Sequence, residues 1–127
     1  MPTNSSQTKV KGLFGEAQVV AWLKAHDYEI LAQNYTSKMG EIDIIAQKGD
    51  VVSFVEVKMR LTAYFALSEL ITPSKQKKII MTAKRYIALN SNSNHVYQFD
   101  VALLEKISHD NFKIEYLPNA FYGSEFY

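Results

Sequence analysis

The stretch GEIDIIAQKGDVVSFVEVKMR, Gly40–Arg60, decides the fold, because it contains two strand-like segments joined by a tight turn. Residues 41–46 and 51–58 are rich in isoleucine and valine, which favour β-strands. Between them, the sequence QKGD supplies a glycine that suits a two-residue hairpin turn at Gly49 and Asp50. We therefore predict an antiparallel β-hairpin.

The predicted hairpin places charged residues opposite one another. If Lys48 pairs with Val51, the same register sets Asp43 opposite Glu56, and Glu41 opposite Lys58. Side chains alternate between the two faces of a strand. One face should then carry the charges together with two apolar residues: Glu41, Asp43, Ile45, Phe54, Glu56 and Lys58. The other face should be wholly apolar, with Ile42, Ile44, Val55 and Val57.

Opposed carboxylates destabilise a strand pair unless a cation lies between them. Mg²⁺ and Mn²⁺ take oxygen ligands, and Mg²⁺ is commonly held by one or two carboxylates plus waters and phosphate oxygens. Asp43 and Glu56 are therefore candidate metal ligands, and Lys58 could orient a water or stabilise developing negative charge. The alternative is a surface sheet face with ordinary ion pairs from Glu41 and Asp43 to Lys58.

A helix is predicted over residues 11–26, whose apolar side chains recur at helical spacing. Glu16 falls on the same stripe as Val19, Val20 and Leu23. Burying an unpaired carboxylate is costly, so Glu16 is a third candidate ligand for the metal. The alternative is that the stripe is rotated and Glu16 merely lies at its boundary.

The remaining segments complete an α/β pattern. A strand is predicted over residues 28–36, and residues 60–71, with Tyr64 and Phe65, are ambiguous. A second helix should start after Thr72 as N-cap, with Pro73 in the first turn, and run to about Asn90. Strands are predicted over 96–104 and 112–117. This order predicts helices packed on a mixed sheet.

Basic residues are concentrated between Lys58 and Arg85. That window holds seven basic residues and one acid, Glu69, for a net charge of +6, whereas the whole chain carries +1 and the remainder therefore −5. Such asymmetry indicates an anionic partner. The alternative is a solvated helix face. The candidate nucleic-acid contacts are Arg60, Lys75, Lys77, Lys78, Lys84 and Arg85.

Composition narrows the class of protein. A chain of 127 residues with 47% hydrophobic residues fits one globular domain. Cysteine is absent, which excludes disulfides and thiolate metal sites and favours a reducing compartment. No apolar run has the length of a membrane span, and the polar start lacks a signal-peptide core. We expect a cytoplasmic protein with a disordered segment at 1–8, a single domain over 9–127, and no membrane contact.

Asp43 followed by Glu56-Val57-Lys58 resembles the signature of the PD-(D/E)XK nuclease superfamily. Over roughly residues 11–104, the segments GLFGEAQVVAWL, GEIDIIA, VSFVEVKMR, the lysine-rich helix and YQFDVALL occur in an order similar to the YraN-like family of uncharacterised bacterial proteins. That family is assigned to the superfamily and is similar to archaeal Holliday junction resolvases. The resemblance implies a restriction-endonuclease-like α-β-β-β-α-β core, which agrees with the pattern above.

The resemblance also implies roles for individual residues. Asp43 and Glu56 match the metal ligands, Lys58 the catalytic lysine, and Glu16 the helix glutamate that completes the resolvase site. Glu41 lies in the G-E-I-D stretch without a settled role. Asp100 in QFDV either supports the site from a neighbouring strand or, as we favour, orients Arg60 or a lysine. The superfamily's proline is replaced by Ile42.

From these observations we predict a metal-dependent endonuclease that hydrolyses phosphodiester bonds in structured or branched DNA, with Mg²⁺ or Mn²⁺ as cofactor. A homodimer is expected if the target is a two-fold junction. The first alternative is a non-catalytic nucleic-acid-binding module on the same fold. The second is a protein-interaction domain that uses the aromatic tail FYGSEFY, which would pack on the domain or on a twin subunit.

Overall fold

One mixed sheet lies between two helices in the computed structural model, which describes residues 2–60, 71–90, 94–109 and 111–122, without the side chains of 2–13. The elements in chain order are α1 (Pro2–Ala25), β1 (Glu29–Thr36), β2 (Glu41–Lys48), β3 (Val51–Met59), α2 (Pro73–Asn90), β4 (Val96–Ser108) and β5 (Asn111–Phe121). Within the described ranges, five strands pair in the order β1-β2-β3-β4-β5. Strands β3 and β4 are parallel, and the other neighbours are antiparallel. The predicted α-β-β-β-α-β order of a restriction-endonuclease-like fold is confirmed, and β5 adds an edge strand.

Helix α1 covers the predicted helix except for its last residue, His26, and begins earlier, at Pro2 rather than near Lys11. Val19 and Leu23 of the predicted apolar stripe are fully buried. The disorder expected over residues 1–8 stays a prediction, since the side chains there lie outside the described part of the chain. No helix of the described residues is both long enough and apolar enough to cross a membrane.

Helix α2 follows its sequence signals closely. The backbone N–H of Lys75 donates to the hydroxyl of Thr72 at 3.2 Å, so Thr72 is the N-cap as predicted. Pro73 occupies the first turn, where its missing N–H costs nothing, and the helix ends at Asn90. The stripe of Ile79, Ile80 and Ala83 is buried, together with Thr82.

The two helices cover opposite faces of the sheet, and each seals a separate apolar cluster. Val19 and Leu23 of α1 pack with Ile44 and Val55. On the other face, Ile79 and Ile80 of α2 belong to a cluster that also holds Ile42, Ile45, Phe54, Phe99 and Phe121. Sheet and helices therefore hold each other by apolar burial on both sides.

The predicted hairpin register is confirmed near the turn, but the strand pairing ends before the predicted pairs Asp43–Glu56 and Glu41–Lys58. The predicted alternation of side chains also fails at one point. Strands β2 and β3 pair from Lys48–Val51 to Ile44–Val55, as expected. Ile42 and Ile45 pack in the same cluster although they are three positions apart, which in a regular strand would put them on opposite faces. The expectation of a shared face for Ile42 and Ile44 is therefore wrong. The alternation breaks at Asp43, where the pairing of β2 with β3 also ends.

Asp100 is completely buried in β4 and organises the strand beside it. Its carboxylate accepts hydrogen bonds from the Gln98 side chain at 3.0 Å, from the Asn119 backbone N–H at 2.8 Å, and from the Tyr116 hydroxyl. The register of β4 with β5 shifts at this position. The expectation that Asp100 orients Arg60 or a lysine is not met by the described contacts, because Asp100 accepts from donors on β4 and β5 and Arg60 pairs with Glu105 and Glu115.

Both outer strands of the sheet are irregular. Strand β1 contains a bulge between Ile30 and Ala32. Strand β5 carries Pro118, which has no backbone N–H, followed by Asn119 with φ of 54°. Phe121, the first residue of the aromatic tail, is buried and stacks on Phe99 with centroids 5.1 Å apart. Tyr64 and Phe65, and the tail beyond Tyr122, fall outside the described residues.

Replacing Asp100 by alanine is expected to lower the free energy of unfolding by about 2–4 kcal/mol, because the Tyr116 hydroxyl and the Asn119 N–H lose their acceptor inside the protein. Urea denaturation of Asp100→Ala measures this, with the exposed edge-strand change Glu29→Ala as control. Equal unfolding midpoints for both variants would contradict a structural role for this carboxylate.

Candidate functional site

The candidate site lies where β2 and β3 separate. The backbone N–H of Val57 donates to a carboxylate oxygen of Asp43 at 2.8 Å. In the hairpin register, Val57 would otherwise pair with Ile42, so the Asp43 side chain takes the place of a main-chain carbonyl. A charged side chain is thereby fixed inside the sheet, between two strands.

Glu56 lies next to Asp43 and is almost completely buried, with 4% of its surface exposed. The structure pairs it with a lysine from α2: the Lys75 ammonium is 3.1 Å from Glu56 Oε1. Asp43 and Glu56 are also close enough to share a hydrogen bond between their carboxyl groups. The carboxyl groups of Asp43 and Glu56 therefore lie side by side in the structure, as predicted.

Burial dominates the electrostatics of this pair. It raises the pKa of Glu56 to about 7 from an ordinary 4.5, with the neighbouring Asp43 charge adding to the rise and Lys75 opposing it. The pKa of Asp43 is also raised, again mainly by burial, although the Val57 N–H works in the opposite direction. Near neutral pH the pair can therefore hold one shared proton or, with a cation beside it, two negative charges.

Glu16 approaches the same place from α1, on the other side of the sheet. Its pKa is raised first by burial and then by the charge of Asp43, while a hydrogen bond with Asn34 works against the rise. Its second carboxylate oxygen, Oε2, is buried without a hydrogen-bond partner. A buried, unpartnered acceptor is unusual enough to need a function or an unseen partner.

A cleft of about 350 Å³ opens beside the carboxylates on the α2 face. It is lined by acids, by hydroxyls and lysines of the α2 start, and by the turn before β2: Gly40, Glu41, Asp43, Glu56, Thr72, Ser74, Lys75, Lys78 and Ile79. A side chain at Gly40 would put its Cβ 3.2 Å from Cβ of Lys78. Glycine therefore allows the turn to pack tightly against α2, and Glu41 is exposed at the mouth of the cleft.

Two carboxylates in a partly open cleft fit a hard divalent cation, which commonly takes one or two carboxylates and completes its shell with water and phosphate. Among the described residues, no three acidic or histidine side chains already stand at metal-binding distance from one another. The fit therefore rests on Asp43 and Glu56, with the unpartnered oxygen of Glu16 as the third predicted donor.

Lys58, near the end of β3, and Arg60, just after it, are not placed against the carboxylate pair by the described contacts. Lys58 shares the α2 face with Glu56, but the described contacts do not join it to either carboxylate, nor does it line the cleft. The ion pairs from Lys58 to Glu41 and Asp43, our structural alternative, do not occur among the described residues. Arg60 contacts Glu105 at 3.5 Å and Glu115 at 3.4 Å, so its charge is already partly neutralised.

The other basic residues of α2 are exposed and divide between two sides of the helix. Lys78 lines the acidic cleft. Lys77 and Lys84 line a second groove together with the exposed ring of Tyr122. Arg85 is exposed further along the helix. This second groove brings cations and an aromatic ring together on the surface, a combination suited to nucleic acid.

Sequence reasoning missed the place of Lys75, which it counted among the candidate nucleic-acid contacts. The signal was present in the topology. Parallel strands β3 and β4 require a crossover, and its helix starts beside the carboxyl end of the first strand. A lysine in the first turn of α2 is therefore carried to Glu56, in the carboxyl-terminal half of β3.

Comparison with known proteins gives one consistent result. The model of the Uncharacterised protein family UPF0102 matches residues 15–104. A UPF0102 protein of Treponema pallidum is 41% identical over 117 residues, covering 89% of this chain and 93% of the relative. One from Sulfurihydrogenibium is 42% identical over 112 residues, covering 87% and 93%. One from Clostridium perfringens is 38% identical, covering 87% and 92%.

The raised pKa of Glu56 predicts a pH-dependent stability. The folded protein binds a proton on Glu56 more tightly than the unfolded chain does, so this contribution is complete below pH 4.5 and is lost as pH rises through about 7. Wild type should lose roughly 1–3 kcal/mol relative to Glu56→Gln between pH 5 and 8. Denaturant titrations at each pH measure this, with Glu29→Gln as control. Parallel curves for wild type and Glu56→Gln would contradict it.

Proposed function

The chain belongs to the uncharacterised protein family UPF0102, and from its site we propose that it is a metal-dependent endonuclease acting on structured or branched DNA. The YraN-like resemblance seen in the sequence is confirmed by this membership. Assignment to the PD-(D/E)XK nucleases stays part of the proposal. The observation that carries it is the buried meeting of Asp43 and Glu56 in a cleft that opens beside the basic helix α2.

Asp43 and Glu56 would hold the cation, because they provide two adjacent carboxylates and the Val57 N–H fixes the orientation of Asp43. Glu16 would assist from α1 through its unpartnered oxygen, directly or through a water. A bound Mg²⁺ or Mn²⁺ would polarise the phosphoryl group and lower the pKa of a nearby water.

The remaining steps belong to the chain's own groups. Hydrolysis joins a water oxygen to phosphorus and breaks one phosphorus–ester bond, and negative charge grows on the nonbridging oxygens. Lys78, which lines the cleft, and Lys58, on the same sheet face as Glu56, would stabilise that charge.

Exposed cations on α2 support DNA as the partner, because neutralisation of phosphates supplies most nonspecific affinity. Lys77 and Lys84 lie about two helical turns apart along one groove. Tyr122 offers a ring on which a base could stack. Nucleic acid bound along this groove would reach the cleft by crossing the first turns of α2. We retain the cytoplasm as the proposed location and a homodimer as the proposed form on a two-fold junction.

A second function is favoured by one specific contact. The Lys75 ammonium already neutralises Glu56, so the acidic site can be satisfied within the protein. A non-catalytic module that binds nucleic acid would keep the basic face of α2 and would need no metal.

A panel of labelled linear, flapped and four-way DNA substrates, incubated with Mg²⁺ or Mn²⁺, tests the proposal. Wild type should cleave at least one structured substrate, and Asp43→Asn and Glu56→Gln should each lower the rate by at least about 10²-fold. Both changes keep side-chain volume, so the fold should survive. Salt-sensitive binding without metal-dependent cleavage would instead favour the non-catalytic module.

The basic groove predicts a salt effect on binding. Lys77→Ala and Lys84→Ala should each reduce the slope of log K against log salt concentration by roughly one unit, since each removes one phosphate contact. Fluorescence anisotropy of a labelled duplex at several salt concentrations measures the slope. Lys24→Ala is the matched control, because Lys24 is exposed on α1, which packs on the other face of the sheet. An unchanged slope in both groove variants would move the binding surface elsewhere.

A further inference from the structure

Lys75 stands where an incoming cation would have to bind. Its ammonium lies 3.1 Å from Glu56 Oε1, on a carboxylate that is otherwise buried. The charges of Asp43 and Glu41 also act on it. A divalent ion bound to this oxygen of Glu56 would stand within a few ångströms of the ammonium, and the two positive charges would repel each other.

We propose that Lys75 is a built-in counter-ion of the carboxylate pair, which a divalent cation must displace in order to bind. The inference rests on the proposed function, since it concerns the same two carboxylates, and it adds a form of regulation to it. Filling the site is then an exchange, in which one positive charge leaves and two arrive.

The position of Lys75 at the start of α2 allows this exchange. The residue lies in the first turn of α2, where Thr72 caps its backbone N–H, so the helix start stays fixed while the side chain moves. The Lys75 side chain is half exposed, whereas that of Glu56 is almost wholly buried. A long, flexible lysine can therefore turn toward solvent without repacking the core.

Displacement would also change what the cleft offers to a ligand. Lys75 and Lys78 both line it, so an ammonium released from Glu56 stays at the mouth of the cleft beside a second one. Cation entry would thereby convert an internal ion pair into a free positive charge facing any bound phosphate. Metal occupancy and phosphate affinity should rise together.

The test compares magnesium binding by wild type, Lys75→Met and Lys78→Met. Binding is measured by isothermal titration calorimetry with magnesium chloride. A pH of 8.5 is used in order to favour the ionised carboxylates in the variants that lack a lysine. Lys75→Met should bind about ten- to a hundredfold more tightly than wild type, because the competing charge-assisted hydrogen bond is gone. Lys78→Met removes the same charge from the same cleft without breaking that bond, and should stay within about threefold of wild type.

Two outcomes would overturn the inference, and they are distinguishable. If wild type and Lys75→Met bind magnesium equally, or if the variant binds more weakly, Lys75 is not a competitor although the metal site itself stands. If neither protein binds magnesium, the metal site fails and the exchange fails with it. Circular dichroism of the metal-free variants confirms that each compared protein is folded.

Discussion

The hydrogen bond from the Val57 N–H to the Asp43 carboxylate is the contact on which the candidate site depends. The two strands of the hairpin can separate at this point because each of them is also paired with another strand. Strand β2 stays paired with β1 as far as Glu41, and β3 stays paired with β4 as far as Met59. The sheet therefore stays continuous where its central hairpin separates, and the Asp43 carboxylate occupies the gap.

Three acidic groups converge on this gap, and each interacts with a different part of the fold. Asp43 receives a backbone donor, Glu56 a lysine from α2, and Glu16 an asparagine from β1, with one oxygen left unpartnered. Burial raises the pKa of all three. Proteins bury neighbouring carboxyl groups in this way mainly where function requires it. The gap between β2 and β3 is therefore the candidate site, whereas the buried Asp100 has donors for its oxygens and is structural.

Much of this architecture could be predicted, because the turn and capping residues and the pattern of apolar side chains indicate the same helices and strands. Isoleucine and valine alternation with Gly49 fixed the hairpin register, and Thr72 with Pro73 fixed the start of α2. The failures came from contacts between distant segments. Side-chain alternation could not foresee that Asp43 would bond to the backbone, nor could sequence spacing place Lys75 on Glu56 or assign Asp100 to Tyr116. Those pairings depend on which elements pack together, and single-sequence patterns carry little of that information.

The irregular outer strands have a consequence for self-association. An unbroken sheet edge presents a row of free N–H and C=O groups that a second copy can extend. Here the bulge in β1 disrupts that row on one side, and Pro118 removes a donor from it on the other. Extension of the sheet from molecule to molecule is therefore disfavoured at both margins.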